Sequence, residues 1–291
     1  MIVITAPTGQ IGRRILGRLH DGDEPVRVIV RDPSALDAAT RERVQVVTGS
    51  HRDPACTAAA FEGADTVFWL VPPDPRAEDV VGHYLGFTRP AVDAIERHGV
   101  KRVVGVSSLG RAFDGNAGNL SAAFAMDDLI EGSGVAYRAL RMPFFMENLL
   151  MQAGAIGRQG AFSLPNDADR PLRLVATGDV AHVAADLLLD PTWGGQGSVP
   201  VLSPDALTPR EMARTMSEVL GGPVAFHRSP AEDFRTRMLQ YGMTDGWAQG
   251  LVDMAAAQDE GIYEPEALTA APAPTAFREW CERVLKPAVA A

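Results

Sequence analysis

Short apolar runs alternate with longer segments of mixed polarity through the first half of the chain. The runs are brief and rich in valine and isoleucine, which favours strands buried on both faces over helices. The longer segments between them have helical spacing, as crossover helices between parallel strands do. Six strands are predicted, at Ile2–Thr5, Val26–Arg31, Val44–Val47, Thr66–Val71, Arg102–Ser108 and Tyr137–Arg141. The pattern therefore predicts an α/β fold built on a doubly wound parallel sheet.

The alternation loosens in the second half, where helical signatures take over. A further strand and helix near residues 172–190 are expected to return to the sheet. Two segments, Thr208-Pro-Arg-Glu211 and Ser229-Pro-Ala-Glu232, each combine a capping hydroxyl, a proline at the first helical position and a glutamate at the third, which predicts a helix after each. We expect a sheet domain over residues 1–150 and a smaller, mostly helical C-terminal substrate lobe over residues 151–291.

Composition and charge exclude several classes of protein. Of 291 residues, 46% are hydrophobic and 22% are charged, which is ordinary globular usage. The 27 basic and 37 acidic residues leave a net charge of −10, so nucleic acid is not expected as a direct partner. No apolar run approaches the roughly 18 residues that span a bilayer, so no membrane partner is expected. The two cysteines and six histidines lack metal-ligand spacing, so we expect no metal and a reducing, cytoplasmic location.

The first predicted strand is followed by a turn that carries Gly9 and Gly12 before the first predicted helix. In a dinucleotide loop, Gly9 lets the main chain approach a pyrophosphate, Gly12 lets the helix pack closely on the strand, and amides at the helix start face the phosphate charge. Ala6 stands where the motif G-x-x-G-x-x-G has its first glycine, and Pro7 removes one amide. The alternative is a strand–turn–helix corner that uses glycine for geometry alone. The position of the turn in a βαβ unit favours phosphate binding.

The residue that ends the second predicted strand indicates which dinucleotide binds. Arg31 stands there, 19 positions after Gly12, close to the ~20 expected for the contact with the adenosine ribose. A carboxylate at this place bonds the ribose 2′-hydroxyl, whereas a guanidinium accepts a 2′-phosphate, so NADP(H) is favoured over NAD(H). The adjacent Asp32 leaves two alternatives open, because it either pairs with Arg31 or itself meets a ribose hydroxyl.

Several further segments follow the loop and Arg31 in a consistent order: Leu70-Val-Pro-Pro73, Ser107-Ser108-Leu109-Gly110 and Arg141-Met-Pro-Phe-Phe-Met-Glu-Asn148. In this order the chain resembles, essentially end to end, the NmrA-like family of atypical short-chain dehydrogenase/reductases, and the last segment is the most specific. The resemblance implies a Rossmann domain that binds NADP(H) or NAD(H). Members of the family include reductases of quinones and other small molecules, and redox-sensing regulators without turnover.

The resemblance also implies where the ligands bind. Residues expected to contact the cofactor are Thr8, Gly9, Gln10, Ile11, Gly12, Arg31, Ser50, Leu70, Val71, Pro72, Ser107 and Pro143. Residues expected to line the substrate pocket are Ser108, Phe144, Phe145 and Met146, although aromatic and methionine runs more often form core. Glu147 and Asn148 are candidates to anchor that segment by bonding the main chain, and His51 is expected near the adenine edge.

Ordinary short-chain dehydrogenases use a tyrosine and, four residues later, a lysine to deliver a proton. None of the four tyrosines here has a lysine at that spacing, and in the family register the two positions are Ala123 and Asp127. Ser107 and Ser108, at the end of the fifth predicted strand, are the candidate catalytic residues, and the alternative is that their hydroxyls only satisfy loop amides. Asp127 either bonds a ribose hydroxyl or is an exposed helix carboxylate, and the second is favoured.

Two hypotheses about function follow. The favoured one is an NADPH-dependent reductase of a small apolar acceptor such as a quinone or a conjugated carbonyl, in which the site mainly holds donor and acceptor in reactive contact. The alternative is a non-catalytic regulator that senses NAD(P). Either protein would bind a small molecule, and the sequence leaves a homodimer open.

Overall fold

The computed structural model describes residues 1–20, 22–268 and 270–290. The strands are β1 Ile2–Ile4, β2 Val26–Val30, β3 Val44–Thr48, β4 Thr66–Trp69, β5 Arg102–Ser108, β6 Ala136–Met142, β7 Phe144–Phe145, β8 Ala161–Leu164, β9 Leu172–Val175, β10 Gln196–Pro200, β11 Ala206–Leu207 and β12 Ala225–Arg228. The helices are α1 Gly12–Leu19, α2 Ala38–Arg43, α3 Pro54–Phe61, α4 Val80–His98, α5 Ser121–Gly132, α6 Ala153–Gln159, α7 Thr177–Leu189, α8 Pro209–Leu220, α9 Ala231–Gln240, α10 Asp245–Asp259, α11 Glu264–Ala267, α12 Phe277–Trp280 and α13 Lys286–Ala290.

Seven strands form one parallel sheet in the order β10-β6-β5-β4-β1-β2-β3. The chain builds outward from β1 to β3 on one side and then starts again at β4 on the other. The strand order therefore reverses between β1 and β4, and ligands of open α/β sheets bind at the carboxyl ends of the strands at such a point. The predicted doubly wound parallel sheet is confirmed.

Both faces of the sheet are buried under helices, which explains the continuous apolar runs in the sequence. Ile4 and Val28 pack with Ile15 of α1 on one face, where α7 also lies. Val3 and Ile29, one position away on the same strands, pack on the other face with the helix pair α3 and α4. Each such fully buried side chain stabilises the fold by roughly 1.5–3 kcal/mol.

Of the strand and helix predicted to return near residues 172–190, the helix α7 packs on the main sheet beside α1, whereas the strand does not join that sheet. Leu172–Val175 instead pairs with Phe144–Phe145 and Ala206–Leu207 in a small second sheet. The free edge of the main sheet is taken by Gln196–Pro200, beside β6. Leu172–Val175 is almost wholly buried and suits an interior position, whereas the more exposed Gln196–Pro200 suits an edge strand.

The C-terminal part of the chain has its own hydrophobic core. Met212 and Met216 of α8 pack with Phe277 and Trp280 of α12, whose rings stack 5.8 Å apart between centroids. The capping box that starts α8 forms as predicted, because the Thr208 hydroxyl accepts from the Glu211 amide while the Glu211 carboxylate accepts from the Thr208 amide.

The second predicted cap does not form. The residue before α9 is Pro230, which makes no side-chain capping bond, and Ser229 lies one position too early. Its hydroxyl instead accepts a hydrogen bond from the Arg237 guanidinium at 2.8 Å. The predicted helix is present, but the Ser229 hydroxyl bonds to Arg237 in the last turn of α9 and does not cap the helix.

Within the described residues, no helix combines the length and the apolar character needed to cross a bilayer. The longest, α4, carries several charged side chains along its 19 residues.

Candidate dinucleotide-binding and active site

The loop between β1 and α1 is shaped by one residue with an unusual backbone conformation. Ala6 has φ +49°, in the left-handed region that alanine rarely adopts. Its carbonyl oxygen accepts a hydrogen bond from the Gly9 amide at 3.1 Å and turns toward the start of α1. A Cβ atom on Gly12 would lie 2.3 Å from that oxygen. Only glycine at position 12 therefore lets the helix approach the loop this closely.

The start of α1 has the properties of a phosphate site. Ile11 precedes the helix and makes no side-chain capping bond, while Thr8, Gly9 and Gln10 are exposed beside it. The absence of a side-chain cap and the positive end of the helix dipole favour an anion at this position. The Arg13 and Arg14 side chains both donate to the Gln10 side chain, at 2.6 and 2.9 Å, which adds positive charge next to the loop. The loop therefore fits a dinucleotide diphosphate.

Thr5 joins the two strands between which the strand order reverses. Its buried hydroxyl donates to the Phe68 carbonyl at 2.9 Å and accepts from the Leu70 amide at 2.9 Å. These bonds hold the end of β4 against the end of β1. They bring Leu70, Val71 and Pro72 to the same edge of the sheet as the glycine loop, as the sequence prediction requires.

Arg31 follows β2 and is exposed. Asp32 does not pair with it, because the Asp32 carboxylate caps a short helical turn by accepting from the Ser34 amide at 2.9 Å. In the part of the chain that the structure describes, no carboxylate lies within ion-pair distance of Arg31. Because the Asp32 carboxylate caps this turn, the Arg31 guanidinium is available to bind an external phosphate.

His51, which is expected near the adenine edge, follows β3 and turns its ring toward neighbouring aromatic side chains. The ring is buried, its Nε2 atom lies 3.1 Å from the Leu70 carbonyl oxygen, and it packs against Trp69 and Phe87. Burial lowers the pKa of His51 to about 4, with Arg31 adding to the effect and the bond to Leu70 opposing it. A neutral His51 therefore supports the loop after β4 from behind, while the half-buried Ser50 lies beside it.

The two serines at the end of β5 have different partners, because successive strand residues point to opposite faces. The Ser107 hydroxyl donates to the Asp127 carboxylate at 2.6 Å. The Ser108 hydroxyl donates to the carbonyl oxygens of Leu109 and Met142, at 3.0 and 3.3 Å. Ser107 thus belongs to a side-chain network, whereas Ser108 is satisfied by main chain.

The expectation that Asp127 is an exposed helix carboxylate is wrong. The residue has no exposed surface, and its second oxygen accepts from the Tyr137 hydroxyl at 2.6 Å. Burial raises the pKa of the Asp127 carboxyl to about 6, although the bonds from Ser107 and Tyr137 and the charge of Arg111 oppose the rise. Helix α5 turns this carboxylate toward the sheet, where the hydroxyls of β5 and β6 satisfy it.

The residues that follow β6 pack against two different hydrophobic cores. Phe144 and Met146 are buried in the C-terminal core, as aromatic and methionine runs more often are, and their place in a substrate pocket stays a prediction. Phe145 packs instead on the main-sheet core, because alternation along β7 turns it the other way. The Glu147 carboxylate accepts from the Thr177 amide and hydroxyl at the start of α7, so its predicted anchoring role is confirmed.

The short helix α11 forms hydrogen bonds with residues at the carboxyl ends of β5 and β6. Glu266 of α11 accepts from the amides of Gly110 and Arg111 at 2.8 and 3.2 Å, and from the Arg141 guanidinium at 2.7 Å. Glu264 pairs with both nitrogens of the Arg173 fork, at 3.0 and 2.8 Å. This helix therefore covers the end of β5 beside Ser107 and holds the C-terminal part against the sheet.

Sequence analysis did not identify two groups beside Asp127. One is Tyr137, the second hydroxyl bonded to the carboxylate, and the other is the guanidinium of Arg111. Arg111 Nη1 lies 4.0 Å from Asp127 Oδ2. The tyrosine–lysine signature requires a lysine four residues after the tyrosine, a spacing that belongs to one helix. The real partner of Tyr137 lies on another element, so no spacing rule could find it.

Two surface cavities lie away from the strand ends described above. One, of about 240 Å³, is bordered by Leu19, Pro25 and Val44 at the opposite end of the sheet. The other, of about 430 Å³, lies between α7 and the outer strand β10. Neither contains the loop glycines or the β5 serines, and no cluster of metal-ligating side chains occurs among the described residues.

A family model described as NAD(P)H-binding matches residues 7–191. The chain is 28% identical over 256 residues to the NAD(P)H azoreductase of Xenophilus azovorans, covering 88% of this chain and 86% of that protein. It is 32% identical over 241 residues to the (4-alkanoyl-5-oxo-2,5-dihydrofuran-3-yl)methyl phosphate reductase of Streptomyces griseus, covering 82% and 80%.

The fold also matches a solved structure. The NADPH-dependent quinone oxidoreductase of Escherichia coli, solved with NADPH, superposes with a TM-score of 0.80 at 22% identity, over 100% of this chain and 99% of that one. At that identity the match bears on the fold. The family match over residues 7–191 and the 32% identical relative show that this chain belongs to the NAD(P)H-binding family of NmrA-like, atypical short-chain dehydrogenase/reductases.

Proposed function

We propose that this protein is an NADPH-dependent reductase of a small apolar acceptor of the quinone type. The observation that carries the proposal is the start of α1, which has no side-chain cap and approaches the loop closely through Gly12. This start lies at the carboxyl edge of the sheet, which also holds Ser107 at the end of β5, beside the point between β1 and β4 where strand order reverses. The relatives described above include an NAD(P)H azoreductase and an NADPH-dependent quinone oxidoreductase.

The preference for NADPH rests on Arg31. Its guanidinium is exposed and Asp32 is occupied elsewhere, so the second of the two alternatives that the sequence left open, a ribose contact by Asp32, loses support. A permanently charged planar fork binds a 2′-phosphate well. Arg13 and Arg14 add charge at the diphosphate end, so a chain of net charge −10 offers a locally basic path to a polyanion.

When bound, the reduced nicotinamide supplies a hydride to the acceptor. The chain's own contribution is mainly positioning, because the tyrosine and lysine positions of ordinary members hold Ala123 and Asp127. The loop after β4, held by Thr5 and His51, forms one wall for the cofactor. The Ser107 hydroxyl lies at the carboxyl end of the adjacent strand, and α11 shields that end from water. Pro143, which is expected to contact the cofactor, is buried beside β7.

The test is the loss of NADPH absorbance in the presence of a panel of quinones, azo dyes and conjugated carbonyls. We expect turnover with at least one quinone, and slower turnover with NADH. Reactions without acceptor or without protein are the controls. Tight NADPH binding with no turnover anywhere on the panel would favour the sensing regulator instead. A cytoplasmic location and a homodimer stay predictions from the sequence.

A further inference from the structure

The Asp127 carboxyl is bonded on both sides by groups that can reverse their hydrogen bonds. Ser107 Oγ lies 2.6 Å from Oδ2, and the Tyr137 hydroxyl lies 2.6 Å from Oδ1. A carboxylate only accepts hydrogen bonds, whereas a hydroxyl both donates and accepts. While Asp127 is ionised, both hydroxyls must point their hydrogens at it. When Asp127 is protonated, its own hydrogen replaces one of them.

The two hydroxyls are not equivalent. Tyr137 is fully buried in β6, and burial beside Asp127 raises its pKa well above the usual value. Ser107 is an aliphatic alcohol, a better acceptor than a phenol, and stands at the carboxyl end of β5 at the edge where the cofactor would bind. A protonated Asp127 therefore donates preferentially to Ser107, and the Ser107 hydrogen becomes free to turn to another acceptor.

We propose that the protonation state of Asp127 decides whether Ser107 offers a hydrogen-bond donor or an acceptor to the active site, and that the Asp127–Ser107 pair supplies the proton that completes reduction of the acceptor. In this pair Ser107 is the catalytic residue and Asp127 acts through it as a positioning and proton-storing residue. The inference rests on the proposed function and names the group that replaces the absent tyrosine and lysine.

The step balances in atoms and electrons. The acceptor gains two electrons and one hydrogen as a hydride, and the negative charge develops on its oxygen. The Ser107 O–H bond breaks as its proton moves to that oxygen, and the Asp127 proton moves to Ser107 Oγ. Asp127 is left as a carboxylate with two donated hydrogen bonds, and it regains a proton from solvent after the product leaves. The oxidant is the acceptor, and the reductant is NADPH.

The surroundings of Asp127 are suited to this exchange. The groups that face it are Ser107 on β5, Tyr137 on β6, and the guanidinium groups of Arg111 and Arg141. Arg111 Nη1 is 4.0 Å from Asp127 Oδ2. The same nitrogen donates a hydrogen bond to the Glu131 carboxylate at 2.9 Å, so the charge of Arg111 is shared between the two carboxylates. Burial raises the pKa of Asp127 to about 6 against the opposing effect of these groups, which brings both protonation states within reach near neutral pH.

The first experiment needs no turnover. Infrared difference spectra of the unliganded protein, recorded between about pH 5 and about pH 8, should show the C=O stretch of a protonated, buried carboxyl that disappears near the pKa of Asp127. The band should be absent from D127N. In Y137F it should persist to higher pH, because the lost hydrogen bond stabilised the carboxylate. A band that survives in D127N would overturn the proposal.

The second experiment is the pH profile of acceptor reduction at saturating NADPH. In the wild-type protein kcat should fall as Asp127 loses its proton, and the profile should be flat in D127N. Y137F should keep the step and move it to higher pH. S107A should lose about 100-fold or more in kcat, and S107T, which keeps a hydroxyl, should restore most of it.

Thermal melts and NADPH binding distinguish a folding defect from a chemical one in each variant. A D127N profile that matches the wild type, or equal kcat losses in S107A and Y137F, would contradict the inference. If the wild-type protein reduced no acceptor at any pH, the proposed function would fail, and the infrared titration would still decide whether Asp127 and Ser107 form a switch.

Discussion

The carbonyl oxygen of Ala6 lies 2.3 Å from the position that a Cβ atom on Gly12 would occupy. The two residues depend on each other. Ala6 turns its carbonyl inward by adopting φ +49°, and only a glycine six residues later leaves room for that oxygen. The close approach keeps the first turn of α1 against the loop, which aims its amides at the place where the diphosphate would bind.

Gly12→Ala should therefore damage both the loop and the binding of NADPH. The added methyl cannot fit without moving main chain, which we expect to cost about 1–3 kcal/mol of unfolding free energy and more than about tenfold in NADPH affinity. Calorimetric titration and urea unfolding measure the two effects. Gly17→Ala is the matched control, because Gly17 lies on the same helix with nothing within 4 Å of its added methyl. That variant should gain about 0.5–1 kcal/mol. Equal NADPH affinities in the two variants would refute the steric argument.

Ala6→Gly should stabilise the protein slightly. The left-handed conformation costs alanine roughly 1–2 kcal/mol, and the greater freedom of glycine in the unfolded chain offsets about 0.5–1 kcal/mol of the relief. We expect a net gain of up to about 1 kcal/mol in urea unfolding. Ala59→Gly on α3, at an exposed helical position, is the control and should lose about 0.5–1 kcal/mol. Similar losses in both variants would mean that the turn at Ala6 is unstrained.

Arg31→Ala should abolish the preference for NADPH over NADH. A charged hydrogen bond to a phosphate contributes about 1.5–3 kcal/mol, so the Kd for NADPH should rise by about one to two orders of magnitude while that for NADH changes little. Arg41→Ala removes the same charge from the exposed surface of α2 and should leave the preference intact. Equal affinities for both cofactors in the wild-type protein would contradict the assignment.

Asp127→Asn should change how stability depends on pH. Burial raises the pKa of Asp127 from an ordinary 3.8 to about 6, so the folded protein holds this proton more tightly than the unfolded chain does. The wild-type protein should lose about 3 kcal/mol of unfolding free energy as pH rises from about 3 to about 7, and D127N should lack that part of the slope. Chemical unfolding at several pH values measures it. Asp128→Asn, on the neighbouring exposed carboxylate, should keep the wild-type slope. A slope unchanged in D127N would show that Asp127 does not titrate there.

The sequence alone was enough to predict the parallel sheet, the glycine turn and the position of Arg31 after β2. These features are local: strand and helix periodicity, turn residues and short capping signatures act over a few neighbouring positions, and the capping box at Thr208 formed as predicted. Local signals do not say which strand pairs with which. For that reason Leu172–Val175 was assigned to the main sheet, whose edge is in fact taken by Gln196–Pro200.

Only the tertiary structure decided what surrounds Asp127. Its carboxyl group meets Ser107 from β5 and Tyr137 from β6, residues 20 and 10 positions away, and their approach depends on how α5 packs across two strands. The same is true of His51, whose ring direction is set by Trp69 and Phe87. Periodicity places a residue on an element, but burial, and with it protonation, is settled by the packing of distant elements, because desolvation depends on every neighbouring group.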